Sequence, residues 1–534
     1  MSLIVRRKTL GLCFGLLFCV WNESALAWQF GGGGGGSGKV DRNQRRDATV
    51  PLEKRLAQEK EGRELFVRDW SRSDSKPAPG GDGLGPMYNA VSCVACHELW
   101  GIGGAGDVGK NVRLLHLIGA NGVPLRTATT GEAIEKSRQQ VHPDFMAATS
   151  LVLHRHQIES GAESLEYQHW LGRRLPGHFV DRQTQLPLKP EAQVAFVNNA
   201  RRSPLESASN SYRVEGLPVR LTERNTPALF GAGLIDSIPD AAIVEQAERQ
   251  KKYHAPFITG RVPQNAHGAI GRFGWRGQVN TLHEFVLTAC SVELGLSVPG
   301  HAQARPVLAR REFLVQEAKQ RNAQPNDLTQ EQCVSLTAYV ASLSEPQSAR
   351  AGSLNQAKSA QRGTALFEKI GCSICHAPDV GSVVGLYSDL LLHDMGPNLA
   401  DPLPANPEIN EQTVPGGGGG AYSGSFSQIE LVKHITTKIH QEWRTPPLWG
   451  VASSAPYLHD GRAATLEQAI QWHGGEGQRA AEAFRALKLD ERGDLVQFLE
   501  SLAAPGDGPV IRPRRNFGGG GAGGGGGGGG GGFF

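Results

Sequence analysis

The chain lacks an excess of charge of either sign. Its 534 residues include 55 Lys and Arg against 52 Asp and Glu, so the formal net charge is +3. This balance gives no electrostatic reason to expect nucleic acid or an anionic membrane surface as a partner. The length exceeds what one hydrophobic core usually serves, so two domains are expected.

Long apolar runs are lacking after the N-terminus. There, basic residues Arg6–Lys8 precede an apolar stretch, Leu10–Val20, and a small-residue cleavage site, Ala25–Ala27. This order predicts an export signal over residues 1–27. The apolar stretch is shorter than the ~20 residues of a spanning helix, so an uncleaved anchor is the weaker alternative. We expect a periplasmic or otherwise exported protein with no membrane span after signal removal.

Cysteine is scarce, and its positions are informative. Of eight cysteines, two lie within the predicted signal and four lie in two C-x-x-C-H motifs, Cys93–His97 and Cys372–His376. Cys290 and Cys333 remain. In an oxidising compartment a disulfide between them is expected, with free thiols as the alternative.

The two motifs predict covalent haem attachment. In C-x-x-C-H both thiols add to the haem vinyl groups and the histidine binds the iron. A zinc site made by the four cysteines is the alternative, but zinc does not require a histidine directly after each pair. The sequence therefore predicts two covalently bound haem c groups. The predicted covalent attachment sites are Cys93, Cys96, Cys372 and Cys375, and the predicted iron ligands are His97 and His376.

Four segments recur in the same order in the two halves of the chain. They are Gly62–Phe66 and Gly363–Phe367, the two C-x-x-C-H motifs, Thr226–Gly231 and Thr445–Gly450, and Gly277 with Thr281-Leu282 and Gly461 with Thr465-Leu466. The order predicts two tandem cytochrome c-like haem domains, 61–350 and 351–515. The first carries a large insertion at about 98–220.

We expect a mainly α fold with long Gly/Pro-rich loops between short helices. Residues 28–60 are predicted to be a flexible leader and residues 516–534 a disordered Gly-rich tail, because glycine runs have no side chains to bury. A third glycine run, Gly416–Gly420, predicts a loop.

Two corresponding helices begin at Thr281 and Thr465, each with Glu or Gln three residues later. On the second helix, His473 continues the apolar stripe that begins at Leu466. We expect His473 to be the second axial ligand of the Cys372 haem. Met395 is the rival ligand, since a thioether also serves cytochromes c, and a hydrogen-bonded core histidine is a further alternative.

On the first helix, Glu293 continues the corresponding stripe. A carboxylate is too hard to be a favoured haem ligand but suits proton transfer, whereas a structural or salt-bridged glutamate is the alternative. The ligand opposite His97 stays open, because His154 or His156 of the insertion could also bind this haem.

The most specific segments are Arg224–Gly231, Tyr387–Gly396, Trp443–Gly450 and Tyr457–Arg462. With these segments the chain resembles the bacterial di-haem cytochrome c peroxidase and MauG superfamily over roughly Gly62–Leu502. It is most similar to the branch of di-haem oxidoreductases, also called thiol oxidoreductases.

The resemblance implies roles for individual residues. Trp275 would be the tryptophan between the haems, Glu293 the peroxidatic acid, and His473 the distal ligand, which is methionine in the peroxidases and tyrosine in the MauG type. A calcium ion between the haem domains would use Asn225 and backbone carbonyls near Thr445–Pro447. The chain departs from the family at Phe285, where a glutamine is usual, in a shorter tryptophan-to-acid interval, and in the insertion.

The leading functional hypothesis is a peroxidase that reduces hydrogen peroxide at the first haem. Electrons would come from a small redox protein of the cytochrome or cupredoxin type through the second haem. One alternative is an electron-transfer cytochrome with two six-coordinate haems, and another is MauG-like oxidation of a partner protein.

Overall fold

The computed structural model describes residues 51–71, 81, 83–117, 132–142, 145, 150–159, 162–163, 167, 170–172, 175, 211–265, 268–301, 303–304, 326–344, 353–402 and 439–505. All of them belong to one structural unit, Asp47–Phe534. The predicted signal 1–27, the glycine loop and the glycine-rich tail lie outside the described residues.

Helices predominate, as the sequence predicts. The α-helices of the described residues are α1 Leu52–Val67, α2 Glu132–Val141, α3 Ala232–Ser237, α4 Asp240–Tyr253, α5 Leu282–Glu293, α6 Gln330–Ser342, α7 Leu354–Lys369, α8 Leu466–Gln471, α9 Gln478–Ala486 and α10 Leu489–Ser501. Within these described segments, no helix is both long and apolar enough for a membrane crossing. Helix α1 begins inside the predicted leader 28–60, so the last residues of that segment are helical rather than flexible.

The helix starts that the sequence predicts are confirmed. The Thr281 hydroxyl accepts a hydrogen bond from the backbone N–H of Glu284 at 3.2 Å, and α5 follows. The Thr465 hydroxyl accepts from the backbone N–H of Gln468 at 3.2 Å, and α8 follows. These side chains satisfy N–H groups that the first helical turn leaves without partners.

The same helix pairing occurs in both halves. Helix α1 packs along α6, and α7 packs along α10. A methyl group at Gly62 would collide with the carbonyl oxygen of Ser335, and one at Gly363 would collide with that of Asp494. Each glycine therefore permits a close crossing of two helices, and the sequence repeat corresponds to a structural repeat.

The described residues of the insertion form more β-strand than helix, which sequence reasoning missed. The β-strands of all the described residues are β1 Met87–Tyr88, β2 Val112–Leu117, β3 Ser150–Val152, β4 His156–Glu159, β5 Ala162–Glu163, β6 Ser211–Val214, β7 Leu217–Arg224, β8 Leu392–Asp394 and β9 Glu442–Arg444. Strands β2 to β6 and the first half of β7 belong to the insertion. Strands β3, β2, β7 and β6 form an antiparallel sheet in that order. Leu115, paired with Leu151 and Leu221, belongs to a separate apolar core beside this sheet.

The main hydrophobic core combines residues of both halves. Leu65 and Leu336 of the first half lie in one buried cluster with Val380, Leu390 and Trp449 of the second. A smaller cluster lies around α7, α8 and α10. The division into domains at residue 350 stays a prediction.

Candidate active site

One cavity of about 830 Å³ brings the predicted site residues together. Its lining includes both C-x-x-C-H motifs and the other predicted site residues. They are Cys93, Cys96, His97, Asn225, Trp275, Glu293, Cys372, Cys375, His376, Met395 and His473.

Both motifs form the same tight turn. The N–H of His97 donates to the carbonyl oxygen of Cys93 at 3.1 Å, and the N–H of His376 donates to that of Cys372 at 2.9 Å. Before the second motif, Gly371 has a φ of +90°, a left-handed conformation that glycine adopts without strain. The turn presents two thiols and one imidazole to the same cavity, which suits a rigid macrocycle.

The imidazole rings of the two motif histidines are oriented by the same kind of hydrogen bond, which leaves Nε2 able to bind a metal. Nδ1 of His97 donates to the carbonyl oxygen of Gly104 at 3.2 Å, and Nδ1 of His376 donates to that of Tyr387 at 3.0 Å. A carbonyl oxygen can only accept, so Nδ1 carries the proton and Nε2 keeps its lone pair. Burial lowers the pKa of each histidine to about 4, which favours the neutral ligand form.

His473 lies opposite His376 across the cavity. The centroids of the two imidazole rings are 6.5 Å apart, and the ring planes are inclined by 56°. An imidazole nitrogen binds a metal at about 2 Å, and its ring centroid lies about 1 Å further away, so two axial histidines have centroids about 6 Å apart. Nδ1 of His473 donates to the carbonyl oxygen of Ala469 at 2.8 Å, which orients Nε2 as in the motif histidines. These residues fit a haem iron with two histidine ligands.

Helix α8 ends before His473, although the apolar stripe in the sequence continues to that residue. Helix α8 stops at Gln471, and His473 is only partly buried. Gly474 and Gly475 follow directly, and glycine favours the end of a helix. Met395, the rival ligand, lies near the same point, since both it and His473 flank Gly477. The facing imidazole rings favour His473 as the ligand.

The corresponding position in the first half holds an alanine. His473 follows the first residue of α8, Leu466, by seven residues, and Ala289 follows the first residue of α5, Leu282, by seven. Ala289 also lines the cavity, but a methyl group cannot bind a metal. The two halves therefore differ in the ligand that equivalent helices offer.

Glu293 ends helix α5 at the wall of the cavity. One of its carboxylate oxygens, Oε2, accepts a hydrogen bond from Nδ2 of Asn89 at 2.8 Å. Burial, followed by the charge of Glu293, raises the pKa of the Cys96 thiol to about 11. The carboxylate is thus close to the first motif. Sequence reasoning missed Asn89, which belongs to no recognisable motif.

Trp275 connects the two halves at the cavity wall. Its indole Nε1 donates to the carbonyl oxygen of Asn225 at 2.9 Å, and its own carbonyl accepts from the backbone N–H of Arg444 at 2.9 Å. These two bonds fix both the ring and the backbone of a residue that lines the cavity shared by both motifs.

Asn225 has the features of a cation ligand. Its Nδ2 donates to the carbonyl oxygen of Pro456 at 2.5 Å, while the buried Oδ1 has no hydrogen-bond partner among the residues that the structure describes. A buried acceptor oxygen of this kind is usually satisfied, and calcium prefers amide and carbonyl oxygens. The residue fits the calcium role that the family resemblance implies.

The two insertion histidines lie elsewhere. His154 is buried, and its Nε2 donates to the carbonyl oxygen of Val292 at 3.0 Å, while the ring of His156 stacks on Tyr88 at 4.9 Å. In the part of the chain that the structure describes, neither residue lines the cavity. The geometry therefore does not favour either histidine as a haem ligand.

Cys290 and Cys333 are separate buried thiols on α5 and α6. The expectation of a disulfide between them is wrong. Both side chains lie in the main core, where a thiol behaves as a small apolar group.

A buried charged network that sequence reasoning missed borders the cavity. Arg224 and Arg276 bind the same oxygen of Asp401, at 2.5 and 2.9 Å, and both guanidiniums lie over the ring of Trp443. Burial acts to raise the pKa of Asp401, but the two guanidiniums hold it well below its usual range. Trp443 also lines the cavity and stacks on His459 at 3.6 Å.

Comparison with known proteins finds sequence similarity to haem proteins. The family model described as "Di-haem oxidoreductase, putative peroxidase" matches residues 35–158 and 437–502. Cytochrome-c peroxidase IdrP1 of Pseudomonas sp. (strain SCT) is 32% identical over 154 residues, which cover 27% of this chain and 40% of that protein. Methylamine utilization protein MauG of Methylorubrum extorquens is 30% identical over 152 residues, covering 27% of this chain and 35% of that protein.

A solved structure of a variant of the di-haem peroxidase BthA from Burkholderia thailandensis is 17% identical, covers 52% of this chain and 73% of that one, and has a TM-score of 0.28. This score is too low to indicate a shared overall fold. The sequence matches show that the chain is similar to proteins of the cytochrome c peroxidase and MauG type. They confirm the resemblance to the di-haem oxidoreductase family that the sequence predicts, and this family implies two haem cofactors. The chain spans less than half the length of the two curated relatives.

Proposed function

We propose that the protein is an exported di-haem c-type cytochrome that reduces hydrogen peroxide at the site of the Cys93 motif. Reduction of one peroxide to two waters consumes two electrons and two protons. A small redox protein of the cytochrome or cupredoxin type would supply the electrons through the site of the Cys372 motif. The proposal includes covalent attachment of both haems and a calcium ion at Asn225.

The observation that carries this proposal is the difference between the two halves. His473 faces His376 with its ring centroid 6.5 Å away, so the second site offers two imidazoles. At the equivalent position, the first site offers the methyl group of Ala289. An iron with two protein ligands carries electrons, whereas an iron with an open position can bind a small molecule.

The residues around the first motif suit peroxide chemistry. The haems, when bound, supply the redox chemistry of the reaction. Glu293 takes a proton from one peroxide oxygen and delivers it to the other, which then leaves as water, and a positioned group typically contributes about 10²–10⁴-fold to such a step. Trp275 supplies an aromatic ring, fixed by Asn225 and Arg444, at the wall that both sites share.

The positions of His154 and His156 do not favour the alternative of an electron-transfer cytochrome with two six-coordinate haems. That alternative needs a ligand opposite His97, and neither histidine lines the cavity. MauG-like oxidation of a partner protein would use the same residues and would differ in the source of electrons.

The test is the substitution Glu293→Gln, which preserves the shape of the side chain and removes its titration. We expect the rate constant for peroxide-driven haem oxidation to fall by at least about 10²-fold, with the ferric and reduced spectra preserved. The matched control is Glu284→Gln on the same helix, since the Glu284 side chain is 52% exposed and bonds to His301.

Two results would contradict the proposal. One is an unchanged peroxide rate in Glu293→Gln with both haem masses retained after acid-acetone extraction. The other is a ferric spectrum of the wild-type protein with no high-spin component, which would mean that neither iron has an open position.

A further inference from the structure

We infer that Asn89 is a positioning residue for Glu293 and that the insertion holds it in place. This inference rests on the proposed function, because it assigns how the proton-transferring carboxylate is oriented. It also gives the insertion a role in the reaction that no motif in the sequence indicates.

Asn89 holds Glu293 at both its side chain and its backbone. Nδ2 of Asn89 donates to Oε2 of Glu293 at 2.8 Å. The backbone N–H of Asn89 donates to the carbonyl oxygen of Glu293 at 2.7 Å, and that of Ala90 donates to the same oxygen at 3.3 Å. The end of α5 and the glutamate side chain are thus fixed by the short segment that leads from β1 to the first haem motif.

The orientation of the Asn89 amide is determined by its second contact. The backbone N–H of Arg155 donates to Oδ1 of Asn89 at 2.9 Å. A backbone N–H can only donate, so the atom that it meets must be the amide oxygen. The amide nitrogen therefore points at Glu293. The hydrogen-bond partners alone identify which amide atom is oxygen and which is nitrogen.

Residues of the insertion contact both the end of helix α5 and the side chain of Asn89. Next to Arg155, His154 donates from Nε2 to the carbonyl oxygen of Val292 at 3.0 Å. The Tyr167 hydroxyl donates to the carbonyl oxygen of His154 at 2.8 Å. Neighbouring residues of one insertion segment therefore contact the last residues of α5 and the amide that orients the acid.

Asn89 gives Glu293 a carboxamide neighbour, whereas helix α5 itself contains no Asn or Gln. At the position where the family resemblance implies a glutamine, Phe285 stacks on Phe273 at 5.6 Å and offers no hydrogen bond to a carboxylate. Glutamate is a flexible side chain, and a catalytic group must lie within hydrogen-bond reach of the proton that it moves. An amide fixed by backbone contacts reduces the number of positions that the carboxylate samples.

The experiment is a double-mutant cycle between Asn89→Leu and Glu293→Gln in the haem-loaded protein. Asn89→Leu should lower the peroxide rate constant by about tenfold or more, since a displacement of about 1 Å can cost 10²-fold. In the Glu293→Gln background, the same substitution should cause no further loss, because Asn89 acts through the carboxylate. Asn89→Asp, which keeps the acceptor for Arg155 and removes the amide donor, should also be slow.

The second readout is infrared spectroscopy, which does not depend on turnover. The carboxylate stretch that disappears in Glu293→Gln should be shifted in Asn89→Leu, because the Oε2 oxygen loses its donor. Hydrogen exchange at the backbone amides of Asn89 and Ala90 should stay slow, which shows that the backbone contacts persist.

The outcomes separate this inference from the proposed function. If Glu293→Gln reacts with peroxide at the wild-type rate, the proposed function fails. If Glu293→Gln is slow but Asn89→Leu is not, the positioning role is overturned and the proposed function stands. Equal and additive losses from the two substitutions, with an unshifted carboxylate band, would also overturn the positioning role.

Discussion

Acidification should destabilise the insertion through two buried histidines. His116 and His154 are 5% and 3% exposed, and burial lowers the pKa of each to about 4 from an ordinary value of 6.5. In the folded protein both histidines are therefore neutral at pH 5. In the unfolded chain each histidine is mostly protonated at this pH. The charge of Asp401 acts to raise the pKa of His116, and the hydrogen bond to the Val292 carbonyl acts to raise that of His154, but both effects are weaker than the loss of solvent.

The sign and size of the effect follow from proton linkage. Because the unfolded state binds more protons between pH 6.5 and 4, the free energy of unfolding rises with pH in this window. The stabilisation is complete above about pH 6.5 and is lost as the pH falls towards 4. Each histidine contributes a slope of at most about 1.4 kcal/mol per pH unit, and the shift of about 2.5 units amounts to about 3 kcal/mol.

The assay is urea unfolding of the haem-loaded protein at several pH values between 7 and 4, followed by circular dichroism. The variant His154→Gln keeps a donor for the Val292 carbonyl but cannot bind a proton in this range. Near pH 5, the slope of the free energy of unfolding against pH should decrease by about 1.4 kcal/mol per pH unit, which corresponds to one bound proton. An identical slope in wild type and variant would refute the assignment of His154 as a buried neutral histidine.

Three further predictions test the site and the fold, and two of them compare a pair of substitutions. His473→Ala should convert one haem to high spin in the ferric spectrum, and Met395→Ala should not; the reverse pattern would make the thioether the ligand. Asp401→Asn should lower the free energy of unfolding by about 3–5 kcal/mol, because it leaves two buried guanidiniums without their carboxylate, and a loss below 1 kcal/mol in urea unfolding would contradict this. Gly363→Ala should destabilise through collision with the facing helix, while Gly493→Ala on that helix, where the added methyl group meets no atom of another described element within 4 Å, should stabilise by about 0.5–1 kcal/mol. Equal midpoints for the two alanine variants would mean that the close helix crossing does not matter.

The parts of the site that are local in sequence could be predicted from it. The thiols and the histidine of each C-x-x-C-H motif lie within five residues, and a single turn places them. Thr281 and Thr465 start their helices through a hydrogen bond to a residue three positions later. Such patterns depend on backbone geometry that does not change with the rest of the fold.

The contacts that are distant in sequence could not be predicted. Asn89 and Glu293 are 204 positions apart, and Arg224 and Asp401 are 177 apart. The β-sheet of the insertion was also missed for a physical reason. All six residues of its central strand, Val112–Leu117, are buried, so its sequence lacks the alternation that marks a strand with one solvent face.

The shared core has a consequence for any attempt to separate the two halves. Val380, Leu390 and Trp449 are buried in one cluster with first-half residues such as Leu65 and Leu336. A chain cut near residue 350 would present these apolar surfaces to water in both fragments, and exposed patches of this kind promote aggregation. Expression of a single half is therefore expected to give an insoluble product, whereas co-expression of both fragments offers each exposed surface its complement.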